Sequence, residues 1–229
     1  MKEKERKKIV LASASPRRRE LMKFLNMKFE VKTSDEEEVY QSTEPEEIVK
    51  ELARQKAGNV AKHCKNSWVI GADTVVVIDG EILGKPKTTE EAISMILRLQ
   101  GRSHQVYTGV AILETGENPE CECLERDAHV ERTDVTVWSM TEEEIREYVA
   151  TGEPMDKAGG YGIQGAFAVY VKGIRGDYYN VVGFPIAYVA HKVKGLVRYR
   201  CDRADGRKGV LFIVRKALRG AIRFQKEVL

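Results

Sequence analysis

The run WVIGADTVVVIDG, residues 68–80, decides the fold class. Its β-branched residues predict a buried strand, and Asp79-Gly80 favours a tight hairpin turn into a second strand. A carboxylate, Asp73, stands in the middle of this strand, where an unpaired buried charge is costly. We therefore expect a cation, a lysine or hydrogen-bond donors beside Asp73. The alternative is that Gly71 marks a bulge and that Asp73 caps a turn at the end of the strand.

Outward from this run, strands and helices alternate along the chain. IVLA, residues 9–12, predicts a short apolar strand, followed by a helix with Ser15 as its N-cap and Pro16 at its first position. Further strands are predicted in KFEVK, HQVYTGVAILE, VERTDVTVW and FAVYV, and further helices from about Pro45, from capping boxes at Thr88 and Thr141, and from about Pro185 to Leu196. The order predicts an α/β fold with a mixed central sheet flanked by helices, because the hairpin interrupts any all-parallel arrangement.

The composition is that of a globular protein and not of a disordered, fibrous or membrane protein. With 229 residues, 42% of them hydrophobic and 32% charged, the chain can bury a core and is neither disordered nor fibrous. No apolar run approaches the roughly 18 to 20 residues of a membrane helix, and the charged start has no apolar segment after it. These features predict a cytoplasmic protein without membrane contact. The four cysteines and four histidines have no disulfide or zinc spacing.

The run SASPRRR, residues 13–19, is a candidate anion site. It places backbone N–H groups, Arg17 and Arg18 at the start of a helix. An ordinary capped helix with solvated arginines explains the same run equally well. Clustered arginines in a first turn oppose the helix dipole, however, so an anion near them would be stabilising.

Four further side chains could face the same cleft. Glu38 lies in an acidic run, Lys56 in a predicted helix and Lys85 in the run GKP. Each is a weak signal alone, but together they supply the cations and carboxylates that phosphoryl transfer requires. Gln164, in the glycine-rich run DKAGGYGIQG, offers the donor and acceptor pair that can read the edge of a base.

Taken together, these motifs resemble the Maf family of nucleoside triphosphate pyrophosphatases, also called septum formation inhibitor proteins. The matching runs, in family order, are LASASPRRREL, ARQKA, VIGADTVV, GKPKT, GRSHQVYTGV, EPMDKAGGYGIQG and NVVGFP. The resemblance implies a Maf/ITPase-like fold of two lobes with a cleft, often a homodimer. It also implies hydrolysis of a nucleoside triphosphate to the monophosphate and pyrophosphate with a divalent metal cation, Mg²⁺ or Mn²⁺.

The resemblance further implies roles for individual residues. Asp73 would accept the proton of the water that attacks the α-phosphorus, or would hold the metal with the help of Glu38. The phosphates would be held by Ser13, Arg18, Lys56 and Lys85. Arg17, Thr74 and Gln164 are the residues found in the dTTP and UTP hydrolases of the family, where hydrolases of 7-methyl-GTP have Trp, Gln and Glu. The sequence therefore predicts the dTTP/UTP branch, with 7-methyl-GTP as the alternative substrate.

The end of the chain departs from the family pattern. The resemblance implies a domain over residues 1–196, which leaves residues 197–229 as a basic C-terminal extension. Residues 192–229 carry a formal charge of +9, so residues 1–191 carry −6 and the whole chain +3. VLFIV in the extension predicts a strand, and an amphipathic basic run follows it. An alternative of another class is that the chain binds nucleic acid through this extension, although its few aromatic residues are atypical of such a surface.

Overall fold

The computed structural model describes residues 7–204, with side chains to residue 196. Arg6–Ile186 form one compact unit, and the chain beyond Ile186 belongs to a second. The strands are β1 (Lys8–Ala12), β2 (Glu30–Lys32), β3 (Ser67–Ile78), β4 (Glu81–Leu83), β5 (Ser103–Thr115), β6 (Cys123–Val137) and β7 (Val171–Arg175). The quoted run is therefore strand β3, and the predicted turn at Asp79-Gly80 joins it to β4.

Within the described residues, these seven strands form one mixed sheet in the order β2-β1-β3-β5-β6-β7, with β4 paired to β3. Strand β1 is parallel to both of its neighbours, β2 and β3, whereas the pairs β3–β5, β5–β6 and β6–β7 are antiparallel. The predicted mixed α/β fold is confirmed. Ala12, at the carboxyl end of β1, lies beside Gly71, so the loop after β1 opens next to Asp73.

The described chain has six α-helices, of which all but the short fifth one begin at predicted signals. They are α1 (Pro16–Lys23), α2 (Pro45–Ala61), α3 (Thr89–Leu99), α4 (Glu142–Ala150), α5 (Tyr178–Val182) and α6 (Ile186–Ala204). Ser15 caps α1, and Thr141 with Glu144 forms the predicted capping box of α4. In this part of the chain no helix has both the length and the apolar character needed to cross a bilayer.

The two faces of β3 carry different side chains, because successive residues of a strand point to opposite sides. Val76 and Ile78 pack in a core with residues of α3 and α4, whereas Val75 and Val77 pack on the other face with Val49 of α2. Asp73 has the same parity as Val75 and Val77. Its side chain therefore points to the side of the sheet that α2 covers.

Two glycines bring α2 against the sheet. A Cβ atom at Gly71 would collide with the backbone oxygen of Ala53, and one at Gly109 would collide with the backbone oxygen of Val49. Gly109 lies directly across from Asp73 in the β3–β5 pair. Only glycine permits so close an approach at both positions. The alternative of a bulge at Gly71 is wrong, because the pairing of β3 with β1 and β5 continues through this residue.

Other local expectations need correction. FAVYV does not begin a strand: Ala166–Tyr170 form a 3₁₀ helix, and β7 starts only at Val171. The capping box at Thr88 is only half formed, because the Glu91 carboxylate accepts from the backbone N–H of Lys87. Helix α6 continues past the expected end at Leu196 to Ala204. The strand expected in VLFIV and the amphipathic run lie outside the described residues.

Candidate active site

Asp73 lies in the middle of β3 with a lysine beside it. Lys56, on the face of α2 next to the sheet, places its Nζ 2.5 Å from Asp73 Oδ1. The Asp73 side chain is only 14% exposed, so this ion pair supplies the partner that a mostly buried carboxylate requires. The sequence-based expectation of a lysine or other cation beside Asp73 is met by Lys56.

Glu38 adds a second carboxylate to the same lysine. It lies in the loop between β2 and α2, and its Oε1 is 3.0 Å from Lys56 Nζ. Its side chain is half exposed, whereas that of Lys56 is 24% exposed. Two carboxylates from distant parts of the chain therefore converge on one ammonium group.

Arg18 has a different environment from the one expected of a phosphate ligand. Its guanidinium donates to Gly183 O at 2.8 Å and Ala72 O at 2.8 Å, and also to the hydroxyls of Ser13 at 3.3 Å and Thr74 at 3.0 Å. Four of its five N–H donors thus have acceptors within the protein. Burial lowers the pKa of Arg18, and Asp73 opposes this shift. Arg18 holds the residues before and after Asp73, in addition to bringing positive charge to the site.

Thr74 is likewise occupied by protein partners. Besides Arg18, its hydroxyl lies 2.9 Å from Thr108 Oγ1 and 3.3 Å from Gly183 O. Thr108 in turn donates to the backbone oxygen of Asn180, at 3.2 Å. Because Thr108 has given its only proton to Asn180, the single proton of Thr74 goes to Thr108 or to Gly183 O, while Arg18 donates to the Thr74 oxygen.

The fully buried Asn180 completes this network. Its amide donates to Val106 O at 3.0 Å and to Thr133 Oγ1 at 2.9 Å. Sequence reasoning did not select Thr108 or Asn180. Both belong to runs that carry the family resemblance, Thr108 to VYTGV and Asn180 to NVVGFP. Membership of these runs was the signal from which they could have been selected as site residues.

Arg17 reaches across to the glycine-rich segment. Its Nη1 is 3.4 Å from Asp156 Oδ2, and Lys157 Nζ is 2.6 Å from Asp156 Oδ1. Burial opposes ionisation of Asp156, but Lys157 and Arg17 outweigh it and lower the pKa of this carboxyl. Asp156 and Lys157 were not selected from the sequence either, although EPMDKAGG belongs to the matching runs.

A cavity of about 400 Å³ joins these groups. Its wall includes all nine residues predicted from the sequence, namely Ser13, Arg17, Arg18, Glu38, Lys56, Asp73, Thr74, Lys85 and Gln164. Lys85 and Gln164 are exposed and lie on adjoining loops, which are joined by a hydrogen bond of 2.9 Å from Gly159 N to Gly84 O. The volume lies within the range of about 300–1,000 Å³ that is usual for small-molecule sites.

Comparisons with known proteins show the family to which the chain belongs. A family model described as Maf-like protein matches residues 8–196. The chain is 51% identical over 191 residues to a dTTP/UTP pyrophosphatase of Geobacillus sp. (strain WCH70), covering 83% of this chain and 98% of the relative. It is 49% identical over 189 residues to a dTTP/UTP pyrophosphatase of Bacillus cytotoxicus, covering 82% and 95% respectively. A solved HAM1 protein from Coxiella burnetii aligns over 82% of this chain and 99% of its own, at 17% identity and a TM-score of 0.45, which is too low to support a conclusion.

Proposed function

The chain belongs to the Maf-like protein family, and on that premise we propose that it hydrolyses dTTP and UTP to the monophosphate and pyrophosphate, removing excess or non-canonical nucleotides. The observation that carries the proposal is the convergence of Asp73 and Glu38 on Lys56 in the wall of the cavity. Cations and carboxylates at one point are what cleavage of a phosphoanhydride requires.

In the proposed reaction, a water oxygen bonds to the α-phosphorus. The bond from the α-phosphorus to the oxygen that bridges it to the β-phosphorus breaks, and pyrophosphate leaves with that oxygen. Asp73 either accepts the proton of the attacking water or holds a metal that activates it. Lys56, Lys85 and the remaining N–H of Arg18 bring positive charge to the triphosphate, and Ser13 offers a hydroxyl from the loop after β1.

We propose that the enzyme uses a divalent cation, Mg²⁺ or Mn²⁺. Asp73 and Glu38 would hold it. Their oxygens lie 2.5 and 3.0 Å from Lys56 Nζ and are therefore close to each other, and carboxylate oxygens are ligands that Mg²⁺ prefers. Among the described residues no cluster of three or more metal-ligating side chains occurs, so the substrate phosphates and water would complete the coordination. When bound, such a cation supplies Lewis-acid stabilisation of the phosphate charge.

The base would be selected by Gln164 and Arg17, which both line the cavity and lie in different parts of the chain, on the glycine-rich run and on α1. The Gln164 amide can donate and accept, as the O4 and N3–H edge of uracil or thymine requires. Because the only proton of the Thr74 hydroxyl goes to a protein acceptor and Arg18 donates to its oxygen, we propose that Thr74 acts on specificity mainly through Arg18 and the Gly183 segment.

A nucleotide panel tests the proposal. Pyrophosphate release is measured for canonical nucleoside triphosphates and 7-methyl-GTP, each with and without Mg²⁺ or Mn²⁺. We expect dTTP and UTP to be preferred by at least about tenfold, which corresponds to the net contribution of one well-placed hydrogen bond, and activity to depend on the cation. Preference for 7-methyl-GTP would overturn the interpretation of Arg17, Thr74 and Gln164.

We also propose that the catalytic domain ends near residue 196 and that residues 197–229 are a separate basic extension, which the end of the family match supports. A cytoplasmic location, a homodimer and nucleic-acid binding through the extension stay predictions from the sequence.

A further inference from the structure

The segment that carries Gln164, residues 159–166, has little regular secondary structure of its own. Gly159 and Gly160 have positive φ angles of 69° and 72°, and the chain then passes through Gly162 and Gly165. A segment so rich in glycine has high conformational freedom unless the surrounding structure restrains it. We call residues 159–166 the glycine segment. Its restraints decide how the exposed amide of Gln164 is presented to the cavity.

The first restraint is Glu153, which follows α4. Its Oε2 accepts the backbone N–H of Ala166 at 2.8 Å, and its Oε1 accepts the hydroxyl of Tyr148 at 3.2 Å. A Cβ atom at Gly165 would overlap the Glu153 carboxylate, so the backbone of the segment lies directly on this group. Burial and Glu153 raise the pKa of Tyr148, which keeps its hydroxyl protonated as a donor.

The second restraint is a buried pair at the other end of the glycine segment. His104 Nε2 and the hydroxyl of Tyr161 are 2.7 Å apart, and His104 on β5 is fully buried. Burial lowers the pKa of His104 to about 4, so the imidazole is neutral at pH 7. The Tyr161 ring also packs on the Phe167 ring, with their centroids 4.8 Å apart, and the centroids of Phe167 and Tyr148 are 5.0 Å apart.

Gln164 stands between these restraints, three residues after Tyr161 and two before Ala166. An amide can turn to offer its donor and acceptor in either order, so it separates uracil from cytosine only if its surroundings fix its position. Neither Glu153 nor His104 lines the cavity, so both would act through the glycine segment.

We propose that Glu153 and the His104–Tyr161 pair are positioning residues for base selection, which hold the glycine segment at both ends so that Gln164 meets the pyrimidine edge in one orientation. This inference rests on the proposed function, because it presupposes that Gln164 reads the base.

The test compares Glu153→Ala with Glu153→Gln in the full chain. Glutamine keeps an acceptor for Ala166 N and a polar partner for Tyr148, whereas alanine removes both. The readout is the ratio of kcat/KM for dTTP to that for dCTP, with kcat and KM measured separately. We expect E153A to lower this ratio about tenfold, mainly by raising KM for dTTP, since the net contribution of one hydrogen bond corresponds to about tenfold. E153Q should stay close to the wild-type ratio.

Glu147→Ala, an exposed position on α4, is the matched control and should leave the ratio unchanged. If E153A lowers kcat/KM for dTTP and dCTP equally, or leaves both unchanged, the inference is overturned. If E153A does not fold by circular dichroism, Tyr161→Phe, which removes only the hydroxyl that meets His104, carries the same test: a lowered ratio supports the inference, and an unchanged one overturns it. A wild-type enzyme without preference for dTTP would instead overturn the proposed function.

Discussion

At the scale of single residues, Asp73 and Lys56 depend on each other, because each is the charged partner that the other needs in a confined site. Replacing Asp73 by asparagine preserves the shape of the side chain but removes the charge and the proton acceptor. We expect Asp73→Asn to lower kcat by about 10²- to 10⁴-fold, the usual contribution of a general base, while the protein still folds. Pyrophosphate release and thermal unfolding measure the two effects.

Glu143→Gln, at an exposed position of α4, is a control that removes a carboxylate away from the cavity and should keep wild-type turnover. Wild-type turnover in Asp73→Asn itself would contradict the role of Asp73 as proton acceptor or metal ligand.

His104 makes a separate prediction about stability. Its pKa is about 4 in the folded protein, against an ordinary value of 6.5, because burial disfavours the charged ring. The unfolded chain therefore binds the proton first, and stability is lost as the pH falls from about 6.5 towards 4. At about 1.4 kcal/mol per pH unit, the loss from this residue reaches up to about 3 kcal/mol. Urea unfolding at pH 7 and pH 4.5 measures it.

His104→Gln, which keeps a polar group for Tyr161, should reduce this pH dependence. An identical loss of stability in wild type and variant would show that other groups cause it.

The sequence predicted which residues line the cavity, but it did not predict their hydrogen-bond partners. All nine predicted side chains line one cavity, because the sheet brings the loop after β1, the middle of β3 and the face of α2 that carries Lys56 close together. That Arg18 and Thr74 are held by Ala72, Gly183 and Thr108 could not be predicted, since those partners depend on the pairing of distant segments. His104 belongs to the matching run GRSHQVYTGV, but a lone histidine has no ligand spacing that would predict its buried contact with Tyr161.

At the scale of elements, the contact between α2 and the sheet decides where Lys56 lies. Gly71→Ala and Gly109→Ala would each place a methyl group in the backbone of α2. We expect each to destabilise the fold by about 1–3 kcal/mol or more, the cost of overpacking, and to reduce activity by moving Lys56 away from Asp73. Chemical denaturation and turnover measure both effects.

Gly58→Ala is the matched control on α2 itself. A Cβ atom there meets nothing within 4 Å, and alanine favours the helix over glycine, so this variant should gain up to about 1 kcal/mol. Gly71→Ala or Gly109→Ala variants as stable and active as wild type would contradict the close packing of α2.

Element types were predictable where local chemistry and tertiary packing agree. Caps and apolar periodicity located α1 and α4, and the Asp79-Gly80 turn located the β3–β4 hairpin. The strand predicted at the start of FAVYV does not form, although its residues favour a strand. Phe167 packs between Tyr148 and Tyr161, and Ala166–Tyr170 form a 3₁₀ helix that places its ring there. The first half of β6 is mostly polar, so its sequence pattern gave no strand signal.

At the scale of the whole molecule, every side chain that we place in the reaction lies between Ser13 and Gly183, within the unit Arg6–Ile186. The basic charge of the chain is concentrated beyond that unit. We expect a chain shortened to end at Ala204 to fold and to keep kcat/KM for dTTP within about twofold, a change well below that of losing one hydrogen bond. Steady-state kinetics and thermal unfolding of both forms provide the measurement.

Salt-dependent binding of nucleic acid, compared between the full and shortened chains, addresses the extension. Binding that survives the shortening would count against residues 205–229 as its source, and loss of dTTP hydrolysis would give them a part in the enzyme.

The hydrogen bond from Arg18 to Gly183 has a consequence for the order in which the enzyme matures. It joins residues 165 positions apart, so it forms only after nearly the whole family domain has been synthesised. Contacts of such long sequence separation are slow to form, and chains leave the ribosome from the N-terminus. A nascent chain would already carry Asp73 and Lys56 long before Gly183 emerges, yet without the backbone oxygen that accepts from Arg18 and Thr74. The proposed hydrolysis of dTTP and UTP would thus begin only once the chain has been made at least as far as Gly183.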